Sequence, residues 1–152
     1  WDVPATSGYS QAVAWLGAEG ITEGCNPPWR DDYCPDRELT RGQAATMLVR
    51  AFNLPATRAD RFTDDDGSLH EADINALVAA GVADGCDIVR FCPDDALTRQ
   101  QMASMIAQVR DLPSADTTAT FVDDDGNEHE ADIERIAAVG ITRGYTETEF
   151  CP

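Results

Sequence analysis

The sequence predicts a mainly α-helical fold: three helical-hairpin repeats packed as a pseudo-threefold bundle with long, disulfide-stapled loops. Three observations carry that expectation. The block FTDDDGSLHEADI beginning at Phe62 returns 59 residues later as FVDDDGNEHEADI at Phe121. The stretch YCPDRELTRGQAATMLVRAFNLP (33–55) returns as FCPDDALTRQQMASMIAQVRDLP (91–113). Within these blocks apolar residues recur at helical spacing, and periods of this length mark repeat architectures.

Each unit reads as an acidic loop, helix A, a cysteine loop, helix B and a closing Leu-Pro. The units span 1–55, 56–113 and 114–152, and the third ends at Phe150-Cys151-Pro152, before a second TRxQ helix. Both ends fall inside motifs, so the chain reads as a piece of something larger. Helix A places Val13, Leu16 and Ile21 on one face in the first unit, Ile74, Leu77, Val78 and Val82 in the second, and Ile133, Ile136, Ala137 and Ile141 in the third. Gly20, Gly81 and Gly140 follow the last turn, where a left-handed residue is favoured. Helix B runs from Thr40 to about Phe52, with Ala44, Met47, Leu48 and Ala51 on one face. Its copy starts at Thr98 and carries Met102, Met105, Ile106 and Val109. Pro55 and Pro113 are expected to end these helices. One hairpin cannot bury both faces, so the units must pack on one another. Any strand is expected to be short and confined to the cysteine loops.

Charge narrows the function. The chain has 152 residues, 28 acids against 11 bases and a net charge of −17; every base is arginine. A phosphate backbone or an anionic lipid surface would be repelled almost everywhere, which excludes a general nucleic-acid or membrane-surface role. No apolar run approaches the roughly 20 residues of a membrane span. Cations, neutral glycans and wall or high-salt settings stay open.

Four of the five cysteines fall in two loops, GCNPPWRDDYCP and GCDIVRFCP. Neither has zinc-knuckle spacing, and no histidine is near. The favoured reading is two short disulfides, Cys25–Cys34 and Cys86–Cys92, each giving about 2–3 kcal/mol in the chain-entropy picture. The alternative is reduced structural thiols. Disulfides imply an oxidising place outside the cytosol. Tyr145 stands where Cys151 would find a partner, which leaves Cys151 free or paired beyond this chain.

Three places carry candidate chemistry. The acidic loops bring together Asp64, Asp66 and Glu71, and Asp123, Asp125 and Glu130, as calcium candidates around a turn glycine. The competing reading is capping, through Ser68-x-x-Glu71 and its analogue Asn127-x-x-Glu130. Thr40-Arg41-Gly42-Gln43 and Thr98-Arg99-Gln100-Gln101 are capping boxes that do not require their arginine. Arg41 and Arg99 therefore pair with an acid of a neighbouring unit or hold a carboxylate-bearing ligand. His70 and His129 continue as Glu-Ala-Asp-Ile rather than HExxH and read as polar first-turn residues. No nucleophile elbow, P-loop or dinucleotide fingerprint occurs, and no cysteine has the context of a nucleophile, so an enzyme is not expected.

The motif order resembles the S-layer homology domain family across essentially the whole chain. The features that carry the resemblance are Trp1-Asp2-Val3-Pro4, the GIT-x-G turns at Gly20–Gly24, Gly81–Gly85 and Gly140–Gly144, the aromatic-x-Pro steps at Tyr33, Phe91 and Phe150, and the Thr-Arg-x-Gln starts. The cysteine-loop form looks like the variant of high-GC Gram-positive bacteria. The resemblance implies an α-helical three-pronged spindle, extracellular and wall-associated, that anchors non-covalently to wall polysaccharide, often one with an acidic substituent. It implies ligand contacts at Arg41, Arg99, Asp2, Gly24, Gly85 and Gly144. Glutamine replaces the family's usual glutamate after Thr-Arg-x in both copies. The reading from another class is an extracellular structural or assembly module that docks other protein domains or itself.

Overall fold

The computed structural model describes residues 2–26, 29, 31–114 and 120–152. Trp1 of the WDVP motif, and Pro27, Pro28 and Arg30 of the first cysteine loop, lie outside the described residues. Five helices follow in order: α1 (Ser10–Ala18), α2 (Arg41–Phe52), α3 (Glu71–Ala79), α4 (Arg99–Val109) and α5 (Glu130–Ala138). Among the described residues there is no strand, and no helix is long and apolar enough to cross a membrane. One isolated antiparallel bridge joins Thr40 to Ala96. It lies just past the cysteine loops rather than inside them.

The helix starts divide into two kinds. At α2 and α4 the expected capping boxes form: Thr40 and Thr98 accept from the amides of Gln43 and Gln101, whose side chains accept in return from the Thr amides. At α3 and α5 the expected box is displaced. The caps are His70 and His129, without a side-chain cap bond. Ser68 Oγ and Asn127 Oδ1 accept from the histidine amides, while Glu71 and Glu130 reach back to the amides of Gly67 and Gly126 at 2.7 and 2.8 Å. The short side chains close a turn two residues on, so each helix begins later than the capping pattern suggests.

The helix ends follow the glycine expectation at α1, α3 and α5. Gly20, Gly81 and Gly140 take φ of +69°, +71° and +73°, and the next residue donates to the carbonyl five positions back, as Val82 does to Leu77. The proline expectation is corrected at α2 and α4. Left-handed Asn53 and Asp111, not Pro55 and Pro113, turn the chain out of the helix. Ile141 also departs from its predicted core role: it is 43% exposed, whereas Ile21 and Val82 are buried.

Packing is out of step with the sequence repeat. α2 packs on α3, α4 on α5, and α2 touches α4, while α1 packs on no other helix among the described residues. The working hairpin therefore joins helix B of one unit to helix A of the next. Gly42 is one reason: a Cβ there would sit 3.0 Å from the His70 ring. The core divides accordingly. One cluster combines Ala45 and Leu48 with Phe62, Ile74, Leu77, Val82, Phe91 and Met105; the other combines Ala103 and Ala107 with Phe121, Ile133, Ile136 and Phe150.

Candidate functional site

A repeated junction organises the loops. The first aspartate of each acidic motif clips two successive amides of the following aromatic-cysteine step. Asp2 accepts from Tyr33 and Cys34 at 2.6 and 3.0 Å, Asp64 from Phe91 and Cys92 at 2.8 Å each, and Asp123 from Phe150 and Cys151 at 2.7 and 2.8 Å. The amide donors, Tyr33 and Phe150 foremost, hold the Asp2 and Asp123 carboxyls below the ordinary aspartate range. Cys34, Cys92 and Cys151 take φ of 58°, 57° and 58°, the left-handed region that turns consecutive N–H groups toward one anion. Cys151 adopts this conformation without a disulfide, so the aspartate clip accompanies it even where the sulfur bridge is missing.

Above the second and third clips sits an arginine of the preceding unit. Arg41 is 8% exposed; its Nε donates to the Phe91 carbonyl at 2.9 Å and its Nη2 to the Asp84 carbonyl at 2.8 Å. Its guanidinium lies 4.6 Å from the Phe91 ring centre. Burial lowers the Arg41 pKa, partly opposed by the charges of Asp95 and Asp64. Arg99 repeats the pattern on Phe150, with Nε 3.2 Å from the carbonyl and the guanidinium 4.8 Å from the ring, but it is exposed. The expectation of a neighbouring unit as partner fits this geometry. The partner chemistry differs, since carbonyls and a ring face, not a carboxylate, receive the guanidinium.

The turn glycines serve the same junction. A Cβ on Gly85 would lie 2.5 Å from both the Asp87 carbonyl oxygen and the edge of the Phe62 ring. Phe62 in turn stacks at a tilt on Phe91, with centres 5.6 Å apart. Gly144 stands in the same relation to Phe121 and the Thr146 carbonyl. Gly24 takes a φ of +77° and donates to Thr22 Oγ1. The histidines also work across units: His70 Nδ1 lies 2.9 Å from Thr46 Oγ1 on α2, and His129 Nδ1 lies 2.8 Å from Ser104 Oγ on α4. Because the Thr46 hydroxyl donates its proton to Asp73, His70 must donate from Nδ1.

The acidic loops are less uniform than their sequence. Asp64 and Asp123 are engaged by amides, and Glu71 and Glu130 by glycine amides. Asp66 and Asp125 are exposed. The middle residues, Asp65 and Asp124, are 0% and 1% exposed, and neither carboxylate oxygen of either has a hydrogen-bond partner. Sequence reasoning passed over both, because a run of three aspartates shows no difference among its members. Burial pushes both carboxyls up, Asp124 to about 6, with Glu134 as its strongest acidic neighbour. Glu134 is itself buried and accepts from Thr120 and Phe121.

A groove of about 690 Å³ opens between the GVADG turn, α4 and the start of α5. Arg41, Gly85, Gln101, Gln108, His129 and Asp132 line it, together with Asp84, Asp95 and Glu128. It thus unites two predicted ligand residues, Arg41 and Gly85, while Arg99, Asp2, Gly24 and Gly144 lie elsewhere. The bridges Cys25–Cys34 and Cys86–Cys92 are formed, with Cα atoms 6.0 and 5.9 Å apart, and Cys151 is free and exposed.

Tandem units, each closed by an internal aspartate clip and keyed to the next through Arg41, Arg99 and the histidines, with two loops stapled by disulfides, define an extracellular repeat module. Within the middle unit, residues 61–103 match the S-layer homology domain. The chain is 31% identical over 113 residues to the S-layer protein sap of Bacillus anthracis, covering 73% of this chain and 13% of that protein. It is 29% identical over 159 residues to an S-layer protein of Bacillus thuringiensis subsp. finitimus, covering 99% of this chain and 19% of the relative. An endoglucanase of a Bacillus species is 33% identical over 73 residues, 48% of this chain and 8% of the enzyme. The chain therefore spans less than a fifth of the length of each of these relatives. The domain belongs to extracellular, wall-associated proteins, and the disulfides agree with that setting.

Proposed function

We propose that the chain is a non-catalytic anchoring module that holds wall-linked polysaccharide in the groove between the second and third units. In this reading the three units, 1–55, 56–113 and 114–152, stand about a pseudo-threefold axis, with one groove between neighbours. The domain family and its S-layer relatives support anchoring at the cell surface. The observation that carries the finer reading is the chemistry of the groove wall. Amides and carboxylates of Gln101, Gln108, Asp84, Asp95 and Asp132 accept hydrogen bonds from sugar hydroxyls, and Met105 offers an apolar contact. Four acids stand there against one arginine, whose Nε and Nη2 are already committed to carbonyls. That balance favours a neutral, hydroxyl-rich glycan segment over an acidic one. The test is co-sedimentation with purified cell walls. Gln108 is exposed on α4, so Gln108→Trp fills the groove without entering the core. Loss of retention with an unchanged melting curve supports the reading, and unchanged retention removes it.

The assembly-module reading keeps one specific observation in its favour. α1 packs on no other described helix and leaves Tyr9 and Trp15 49% and 57% exposed. Concentration-dependent self-association of the chain that is lost in Trp15→Ala would favour it.

A further inference from the structure

We propose that Asp60, Asp65 and Asp66 form a binding site for a hard divalent cation, calcium, at the entry to α3. One carboxylate oxygen from each of the three lies within 4.8 Å of the others. That is about the span of oxygens arranged round one calcium ion, whose bonds are about 2.3–2.6 Å long.

Asp65 supplies the independent sign of a missing partner. It is fully buried, and neither of its oxygens has a hydrogen-bond partner. A buried carboxylate is ordinarily paired, hydrogen-bonded or bound to metal. Its acidic neighbours, Asp60, Asp64 and Glu71, make the bare anion costlier still. A cation between Asp60, Asp65 and Asp66 neutralises this cluster, and water and main-chain oxygens can fill the remaining positions.

The ligand set differs from the one the sequence suggests. Asp64 spends both oxygens on the Phe91 and Cys92 amides, and Glu71 holds the Gly67 amide. Only Asp66 is common to both sets. Asp60 lies on the connector from α2 to α3, so an ion here would tie that connector to the acidic loop that follows it. In the third unit the residue aligned with Asp60 is alanine, at position 119, and no such trio occurs there among the described residues. Asp124 is thereby an internal control: buried and unpartnered, but without the trio.

The experiment is calorimetric titration of calcium into the chelator-treated, disulfide-intact chain at physiological salt, with melting curves alongside. The expected result is one site with a Kd of about 10⁻⁴–10⁻³ M, the range of extracellular calcium modules. A rise in melting temperature with calcium should accompany it. Asp60→Ala, an exposed change that leaves the core intact, and Asp65→Asn should each weaken binding at least about tenfold, in line with losses seen even for outer-shell partners. Asp124→Asn should leave binding unchanged. Absence of binding and of any melting shift at millimolar calcium overturns the proposal. So does a calcium response that survives in both Asp60→Ala and Asp65→Asn.

Discussion

The guanidinium of Arg41 lies 4.6 Å from the centre of the Phe91 ring and donates from Nε to the carbonyl of that same residue at 2.9 Å. One side chain of the first unit therefore reads both the ring and the backbone of the second unit's cysteine loop. Asp64 holds the amide of Phe91 from the other side at 2.8 Å, so the residue is gripped by ring, carbonyl and amide at once. The arrangement explains an arginine that helix capping alone does not need.

Removing that grip should cost stability unequally in the two copies. Arg41 is buried, and hydrogen bonds from a charged group contribute about 1.5–3 kcal/mol each. Arg41→Ala is expected to destabilise the chain by about 2–4 kcal/mol, and Arg41→Lys should not restore it, since an ammonium cannot span both carbonyls and the ring. Arg99→Ala, at the exposed copy, should lose about 1 kcal/mol or less. Urea unfolding of the three variants checks the order.

Gly85→Ala should be more damaging than a surface glycine change. The new methyl would fall 2.5 Å from the Asp87 carbonyl and from Phe62, a core ring that cannot swing away. The expected loss is about 2–4 kcal/mol, in the range of overpacking and backbone strain. Gly67→Ala is the comparison: its φ is +73° but nothing stands within 4 Å of the added atom, so only the backbone term of about 1 kcal/mol applies. Thermal melting of both variants separates close approach from conformational preference.

The pH dependence of stability should carry the signature of Asp124. Its folded pKa, about 6, lies above the ordinary value of 3.8. The protonated form is thus favoured in the folded state, and the contribution is fully present below about pH 4 and lost as pH rises through about 6. Asp2 and Asp123 work in the opposite sense: their folded values are lowered, so their stabilisation is present above the ordinary aspartate value and is lost at still lower pH. In chelator, wild type should gain about 2 kcal/mol between pH 7 and 4.5 relative to Asp124→Asn. Equal pH profiles for the two would refute the buried-acid assignment.

Much of the helical layout was legible in the sequence because it rests on local chemistry. Thr40 and Gln43, Thr98 and Gln101, and the glycines after α1, α3 and α5 act over a few residues, and both short disulfides close within one loop. Two things were not legible. The first is which helices pack, since apolar periodicity in α2 names a buried face but not its partner; Gly42 opposite His70 and Arg41 on Phe91 decide that across unit boundaries. The second is the division of labour among neighbouring acids. Asp64, Asp65 and Asp66 read alike in one dimension, yet one clips amides, one is buried bare and one faces solvent. Main-chain turns too local for hydropathy to register set those three fates.

In the proposed function, the groove bounded by the GVADG turn, α4 and α5 is the surface that meets the wall. Titration of isotope-labelled chain with solubilised, neutral wall polysaccharide, followed by amide chemical shifts, tests it most directly. Saturable shifts centred on Gly85, Gln101, Gln108 and His129, absent in Gln108→Trp, are expected. Shifts confined to α1 around Tyr9 and Trp15, or no shifts with a glycan to which the intact walls' retention is attributable, would contradict it.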